Sequence, residues 1–373
     1  MRITIVQGAF LPVPPVLGGA VEKIWFGLGK EFASRGHVVT HISRGYGNLA
    51  REEFIDGVHH IRVPGFDTPR SLVRLKWRDL LYSRRVLGAL PKADVLVTNT
   101  FWLPVLPLRP DLGKLYVHVA RYPKGQVKFY SKATRLQTVS GAVRNAICAQ
   151  APRLAPRVKV IPNFVPRSGS TSIGPKREQS ILYVGRVHPE KGIHLLVEAF
   201  VQLWVQGLRG WTLRIVGPWE VNQGGGGRQY FGSLREKARV VVGHSVEWTG
   251  PIFDVDVLNA QYKESAFFVY PSLAERGESF GLAPLEAMAE GCPPVVSSLE
   301  CFSDFIRPGS NGWIFNHRGP NAVGSLADTL RRVIASAHAL QPVRECARQT
   351  AREFSLSSIA DQFLNDFEEV VRQ

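Results

Sequence analysis

The chain has 373 residues, 45% of them hydrophobic and 21% charged, with a formal charge of +15. At roughly 150 residues per domain this length supports two full-sized cores, and the composition excludes a disordered tail, which would be poor in apolar residues and dominated by one charge. The charge is lopsided: residues 1–173 hold 26 Lys/Arg against 9 Asp/Glu, whereas residues 174–373 hold 20 against 22, so something anionic is expected to meet the first half.

The N-terminal ITIVQG reads as a buried strand, with too short an apolar run and too little basic lead for a secretory signal, and this points to a cytoplasmic chain. A Gly/Pro loop ending in Gly18 and Gly19 precedes a helix from about Val21 to Ser34; Gly36 and the strand HVVTHIS complete a βαβ unit. RSLVRLKWRDLLYSRR, from Arg70 to Arg85, is the densest basic segment. It suits an interfacial amphipathic helix, and equally a surface helix whose Leu72, Leu75, Leu80 and Leu81 cover the core. The apolar runs DVLVTN, KLYVHV and VKVIPN continue the alternation as buried central strands. Pro166 to Ser180 is linker-like, after which SILYVGR, TLRIVGP, VEWTG, AFFVYPS and PPVVSS read as strands with helices between, such as Gly192 to Val205 and Leu282 to Ala289. The fold class is therefore α/β, with doubly wound domains at residues 1–165 and 181–355. Cys148, Cys292, Cys301 and Cys346 are too few and too scattered for a disulfide framework or a CxxC metal site, and are expected reduced and mostly buried. No run approaches the roughly 18 consecutive apolar residues that span a membrane.

Doubly wound sheets bind ligands beyond the carboxyl ends of their strands, and two such domains place the expected site in the cleft between them. Gly18 and Gly19 let amides at a helix start approach an anion, or make a tight turn. In YVGRVHPEKG, Arg186 and Lys191 flank a strand-to-helix turn and could converge on a diphosphate. In FFVYPSLAERGESFGLAPLEAMAEG, Glu278 lies in the loop and Glu286 on the following helix. Carboxylates so placed can accept hydrogen bonds from sugar or ribose hydroxyls, and free amides near Gly281 can donate to phosphate. The alternatives are an acidic cap for Glu278 and a solvated helix face for Glu286.

In this order, Gly18-Gly19, Ile161-Pro162-Asn163, Gly185-Arg186 with Lys191-Gly192, and Glu278 through Glu286 followed by GCPPVVSS resemble the signatures of retaining GT-B glycosyltransferases of family 4. The resemblance spans nearly the whole chain. It implies two Rossmann-like domains, an acceptor-binding one first and a nucleotide-sugar-binding one second, with residues 356–373 forming a helix that crosses back. It further implies Arg186 and Lys191 on the diphosphate, Glu278 on the donor sugar, Glu286 on the ribose and His118, ending KLYVHV, near the reacting sugar. His118, Arg186, Lys191 and Glu278 thus form the expected catalytic set. Gly18, Gly19, Gly185, Gly217, Ser279, Phe280, Gly281 and Leu282 join Glu286 in the expected donor site. Arg121 and Lys124 are candidates for the acceptor. Glu275 competes with Glu278 for the sugar, although the spacing to Glu286 favours Glu278. The glycines from Gly224 to Gly227 look like a mobile insertion near the base pocket.

The activity so implied is that of a retaining hexosyltransferase with a UDP-sugar or, less favoured, GDP-sugar donor and an anionic or lipid-linked glycan acceptor, in polysaccharide, lipopolysaccharide or glycolipid synthesis. The basic first domain suits contact with an anionic membrane surface from the cytoplasmic side. Asp254-Val255-Asp256 is a DxD that directly precedes a helical stretch, so it reads as an acidic cap, and neither an obligatory metal nor another cofactor is expected. Rival readings are a GT-B relative such as a nucleotide-sugar epimerase, and a basic membrane or nucleic-acid binder without transferase activity. No acid–base pair or aromatic-interleaved motif supports either, so nucleic acid is not an expected partner.

Overall fold

The computed structural model describes residues 1–166, 177–241 and 245–373; the expected linker, 166–180, falls largely outside them. The chain divides into two compact units, Met1–Phe164 with Leu356–Gln373, and Val165–Ser355.

The first unit holds an eight-stranded sheet: β1 (Arg2–Val6), β2 (Val38–Arg44), β3 (Glu52–Ile55), β4 (Val58–Val63), β5 (Val95–Thr98), β6 (Lys114–Val119), β7 (Arg135–Thr138) and β8 (Val158–Val160), in the order β3-β4-β2-β1-β5-β6-β7-β8. All neighbours are parallel except β3 and β4, a hairpin closed by Asp56 and Gly57, both at positive φ (47° and 79°). Helices α1 (Ala20–Ser34), α2 (Leu72–Ala89) and α3 (Gly141–Gln150) connect the strands. On α1, Ile24, Trp25, Leu28 and Phe32 recur every three or four residues and bury one face among the strand side chains Ile3, Ile5, Val39 and Val97.

Helix α2 buries Asp79, Tyr82, Ser83 and Val86. Of the leucines that one of the two readings placed over the core, Leu72 is 74% exposed and Leu75, Leu80 and Leu81 are half-buried, while Tyr82 and Val86 are fully buried.

The second unit holds β9 (Ser180–Val184), β10 (Thr212–Val216), β11 (Val246–Gly250), β12 (Phe267–Tyr270), β13 (Pro294–Ser297) and β14 (Trp313–Phe315), all parallel, in the order β11-β10-β9-β12-β13-β14. Its helices are α4 (Ile193–Val205), α5 (Gly227–Ala238), α6 (Val255–Glu264), α7 (Leu282–Ala289), α8 (Ala322–Ala335) and α9 (Gln341–Glu353). The strand order reverses between β9 and β12, so the loops after those two strands part and leave a crevice.

The last helix, α10 (Leu356–Arg372), belongs to the first unit. Its Ile359, Phe363 and Phe367 join the core of Trp25 and Phe32. The Tyr116 hydroxyl donates to Asp366 at 2.8 Å, and Arg35 donates to Ser357 Oγ and Glu31, both at 2.8 Å. With α10 counted, the first unit carries 26 Lys/Arg against 13 Asp/Glu and the second 20 against 18, so the excess positive charge stays with the first. Cys292 and Cys301 are buried, Cys148 is half-buried and Cys346 exposed, all four as free thiols. Among the described residues no helix is long and apolar enough to cross a membrane.

Candidate functional site

The crevice of the second unit is built on a close approach of two strand ends. Gly185, after β9, and Gly217, after β10, have φ of 154° and 144°, and a Cβ on Gly217 would run into the Gly185 carbonyl. Only glycine allows that contact. Arg186 follows, its backbone carbonyl accepting the Tyr183 hydroxyl at 2.9 Å. Its guanidinium is divided between Glu190 Oε1 (2.8 Å) and the Gly224 carbonyl (3.0 Å). With side chains 45% and 40% exposed, the Arg186–Glu190 pair is screened by water and contributes under about 1 kcal/mol, so it yields readily to a stronger anion.

Lys191 is more deeply held. Its Nζ lies 2.7 Å from Glu278 Oε2 and 5.3 Å from the Tyr270 ring centre, and the ion pair is only 11% and 12% exposed. The same Glu278 oxygen accepts the hydroxyls of Tyr270 (3.1 Å) and Ser272 (3.2 Å). Tyr183 and Tyr270 stack at 6.0 Å, and burial holds both phenols well above the ordinary tyrosine range. They therefore serve as neutral donors, and one carboxylate carries one ammonium and two hydroxyls.

Glu275 is engaged elsewhere. Arg318 binds it through two nitrogens (2.8 and 2.9 Å), and His317 Nε2 lies 2.9 Å from it. This grip holds the Glu275 carboxyl below its ordinary range, mainly through Arg318. Gly281, at φ 84°, caps α7 and lies against the Phe302 ring. Ser279 and Leu282 are half-buried beside it. Phe280, also in the expected donor set, is 2% exposed, and its ring packs on Phe305 and Phe354 at 5.7 and 5.9 Å. Glu286, on the second turn of α7, accepts the Tyr262 hydroxyl at 3.5 Å.

The Gly224–Gly227 segment is a pinned turn rather than a mobile insertion. Gly225, Gly226 and Gly227 donate to the carbonyls of Glu220, Val187 and Trp219, each at 2.8 Å, and the Gly224 carbonyl holds Arg186. Tight backbone packing against Trp219 leaves no room for a Cβ at Gly225. Asp254 accepts the amides of Asp256 and Val257 at 2.9 and 3.0 Å, which makes this acid of the DxD the cap of α6.

In the first unit, His118 ends β6, 5% exposed and edge-on to Trp25 at 5.4 Å. The Gln137 amide nitrogen donates to the carbonyls of Ile161 (2.6 Å) and Thr138 (2.9 Å), so its oxygen faces His118 Nδ1 at 2.5 Å. Nδ1 therefore carries the proton and Nε2 keeps its lone pair. Burial lowers this histidine to about 4, and it is neutral near pH 7. Gly18 and Gly19 both have positive φ, and Gly19 is the N-cap of α1, pressed against Glu22. Glu22 is 7% exposed and raised by burial, with the charge of Arg121 opposing that rise. Arg121 and Lys124 are both exposed.

Of the residues singled out in the sequence, Lys191 and Glu278 meet directly, with Arg186 on the same crevice wall. His118, Gly18, Gly19, Arg121 and Lys124 lie in the first unit. Glu190, Tyr270, Ser272 and Glu22 emerge only here. Glu190 stands four residues after Arg186, a spacing legible beforehand, whereas Tyr270 and Ser272 read only as strand-end residues.

Residues 178–336 match the family model described as "Glycosyl transferases group 1". Residues 178–336 thus form a group 1 glycosyltransferase domain, in a chain with the GT-B fold. It is 24% identical to a phosphatidyl-myo-inositol mannosyltransferase of Mycobacterium tuberculosis over 99% of this chain and 97% of that one. Among solved structures it resembles a sucrose-phosphate synthase from Thermosynechococcus elongatus, at TM-score 0.78 and 19% identity over 99% of each chain. An Anabaena protein crystallised with UDP and glucose matches at TM-score 0.69 and 17% identity over 99% of this chain and 100% of that one. The group 1 match contains Arg186, Lys191, Glu278 and Glu286, so the crevice described above lies inside it.

Proposed function

We propose that this protein is a retaining, metal-independent hexosyltransferase that moves a sugar from a nucleotide-diphosphate donor to a glycan or lipid-linked glycan acceptor. UDP-sugar is the favoured donor, ahead of GDP-sugar, and the setting is cell-surface polysaccharide, lipopolysaccharide or glycolipid synthesis on the cytoplasmic side. The observation that carries this reading is the Lys191–Glu278 pair at 2.7 Å beside Arg186, where the strand order of the second unit reverses. A site that offers two cations and a hydroxyl-accepting carboxylate together suits a sugar diphosphate. The lipid-linked acceptor of the mycobacterial relative and the UDP and glucose in the Anabaena structure support the choice of acceptor and donor classes.

Cleavage of the donor's anomeric C–O bond builds negative charge on the departing diphosphate. Arg186 and Lys191 would meet that charge, Arg186 by giving up its exposed contact with Glu190, and such charge stabilisation usually supplies the largest catalytic contribution. Glu278 would exchange part of its ammonium contact for sugar hydroxyls. His118, neutral with Nδ1–H committed to Gln137, would accept a substrate hydroxyl through the Nε2 lone pair.

Thermal unfolding with UDP, GDP, ADP and TDP, without metal, tests this. One nucleotide should stabilise the protein by about 2.7 kcal/mol at a hundred-fold excess over its dissociation constant. That gain should vanish in both Arg186→Ala and Lys191→Ala. A flat response to all four at millimolar concentration would sink the proposal.

A further inference from the structure

We propose that α2 and the adjoining Phe101-Trp102 loop form a docking face for an anionic phospholipid surface. The side of α2 opposite its buried residues carries Val73 and Trp77, four positions apart and 79% and 60% exposed, with Leu72 at 74% in the same turn. Large apolar side chains gathered at such exposure mark an interaction surface. Around them stand Arg70, Arg74, Lys76, Arg84 and Arg85, all exposed, and Arg78, half-buried. None of the six makes an ion pair with a described residue. Their fixed contacts are with neutral groups: Arg78 and Arg85 donate to the carbonyls of Asp67 (2.9 Å) and Pro64 (2.7 Å), with both guanidiniums over the Phe66 ring, and Lys76 sits over Phe101.

The one acid of the helix, Asp79, is buried and accepts the amides of Phe101 (3.1 Å) and Trp102 (3.0 Å), while Trp102 Nε1 donates to the Lys76 carbonyl at 2.8 Å. The loop is thereby fixed beside the exposed turn and adds two half-buried aromatic rings to it. Charge complementarity selects the occupant. Six cations without acidic partners ask for a negative surface, and an apolar wedge between them asks for a hydrocarbon layer just beneath it. An anionic bilayer offers both. A nucleic-acid duplex offers phosphates but nothing into which Leu72 and Val73 could be buried. A second copy would bring the same cations face to face in a two-fold contact.

The test uses the full chain and sedimentation with phosphatidylcholine vesicles, with and without about 30% phosphatidylglycerol, at about 50 and about 300 mM salt. The protein should bind the anionic vesicles about tenfold or more tightly than the neutral ones, and less tightly at the higher salt. Val73→Ser/Trp77→Ser and Arg74→Glu/Arg84→Glu alter exposed positions only, and each pair should cost about tenfold in affinity for the anionic vesicles while the melting temperature holds. Equal binding to both vesicles, or unchanged binding by both variants, would overturn the proposal. So would a concentration-dependent dimer abolished by Val73→Ser/Trp77→Ser. Duplex DNA binding lost in Arg74→Glu/Arg84→Glu but not in Val73→Ser/Trp77→Ser would assign the face to nucleic acid instead. Vesicle binding is read without donor and the nucleotide response without lipid, so failure of this inference is distinguishable from failure of the transferase reading.

Discussion

Lys191 and Glu278, 87 positions apart in the chain, meet at 2.7 Å with their side chains nearly out of water. The Lys191→Met variant leaves the carboxylate with two hydroxyl donors and no cation, and a nearly buried charge stripped of its partner costs about 3 kcal/mol. The second unit should therefore melt earlier, and nucleotide diphosphates should no longer protect it. Glu278→Gln separates the roles: its Lys191 remains free to meet a diphosphate, so nucleotide protection should persist while transfer falls by about 10²-fold or more. Loss of nucleotide protection in Glu278→Gln would show that the carboxylate orients Lys191 instead of serving the sugar.

Glu275 supplies the contrast. Its side chain is 50% exposed and so is that of Arg318, and solvent screening limits such a pair to under about 1 kcal/mol. Glu275→Gln should leave both transfer and nucleotide protection within about twofold of wild type, since the side chain is committed to Arg318 and His317. A loss in Glu275→Gln comparable to that in Glu278→Gln would mean that Glu275 leaves Arg318 to reach the substrate.

Much of this architecture is legible in the sequence because buried parallel strands are continuous apolar runs. KLYVHV is β6 to the residue; beyond the buried strands, the partly exposed edge segment VEWTG is β11 and Leu282 to Ala289 is α7. The β3–β4 hairpin also carries a signal, Asp56-Gly57 between alternating residues, but β3 is partly exposed and β4 carries His59, His60 and Arg62, so neither has the uniform apolarity that marks the others. The contact between Lys191 and Glu278 was not legible, because no local pattern encodes a contact made when two distant strands become neighbours. Which side of α2 is buried was illegible for a different reason: apolar residues occur all round it, and Tyr82 and Val86 decide the phase only once the sheet is in place. The Gly224–Gly227 turn has the composition of a flexible insertion and is fixed by partners that the sequence does not reveal.

Beside its apolar face, the attachment of α10 to the first unit includes a charge cluster around the buried Asp366. Arg135 Nη2 lies 3.0 Å from Asp366 and 2.8 Å from Glu369, with the Asp366 side chain 1% exposed. Burial raises the Asp366 carboxyl, while the Tyr116 hydroxyl and Arg135 pull it down. Arg135→Met should destabilise the first unit by about 3 kcal/mol, and Arg135→Met/Asp366→Leu should recover much of the loss by removing the orphaned acid as well. Urea unfolding followed by far-ultraviolet circular dichroism measures both. A double variant no more stable than the single one would show that Arg135 acts through packing, not through charge.

Three buried histidines give the first unit a pH dependence of definite sign. His41 and His60 stack at 5.3 Å, and His60 is lowered to about 4 by burial and by Arg62, with Glu53 opposing. Burial lowers His41 as well and brings His118 to about 4. Each is held neutral in the folded state, whereas an unfolded histidine titrates near about 6.5. Their contribution to stability is therefore complete above that value and is lost as the pH falls from there toward 4. Asp79 runs the other way: burial raises it to about 6, so its protonated form favours folding and that contribution is lost as the pH rises from the unfolded carboxylate value through 6. Because the two effects overlap, the informative quantity is the difference between wild type and a histidine variant. His60→Phe keeps the stack on His41 and removes one proton-binding step. Relative to wild type, it should gain roughly 3 kcal/mol between about pH 7 and about pH 4, the linkage equivalent of the His60 displacement. Parallel stability curves for the two proteins across that range would show that His60 is not held neutral by the fold.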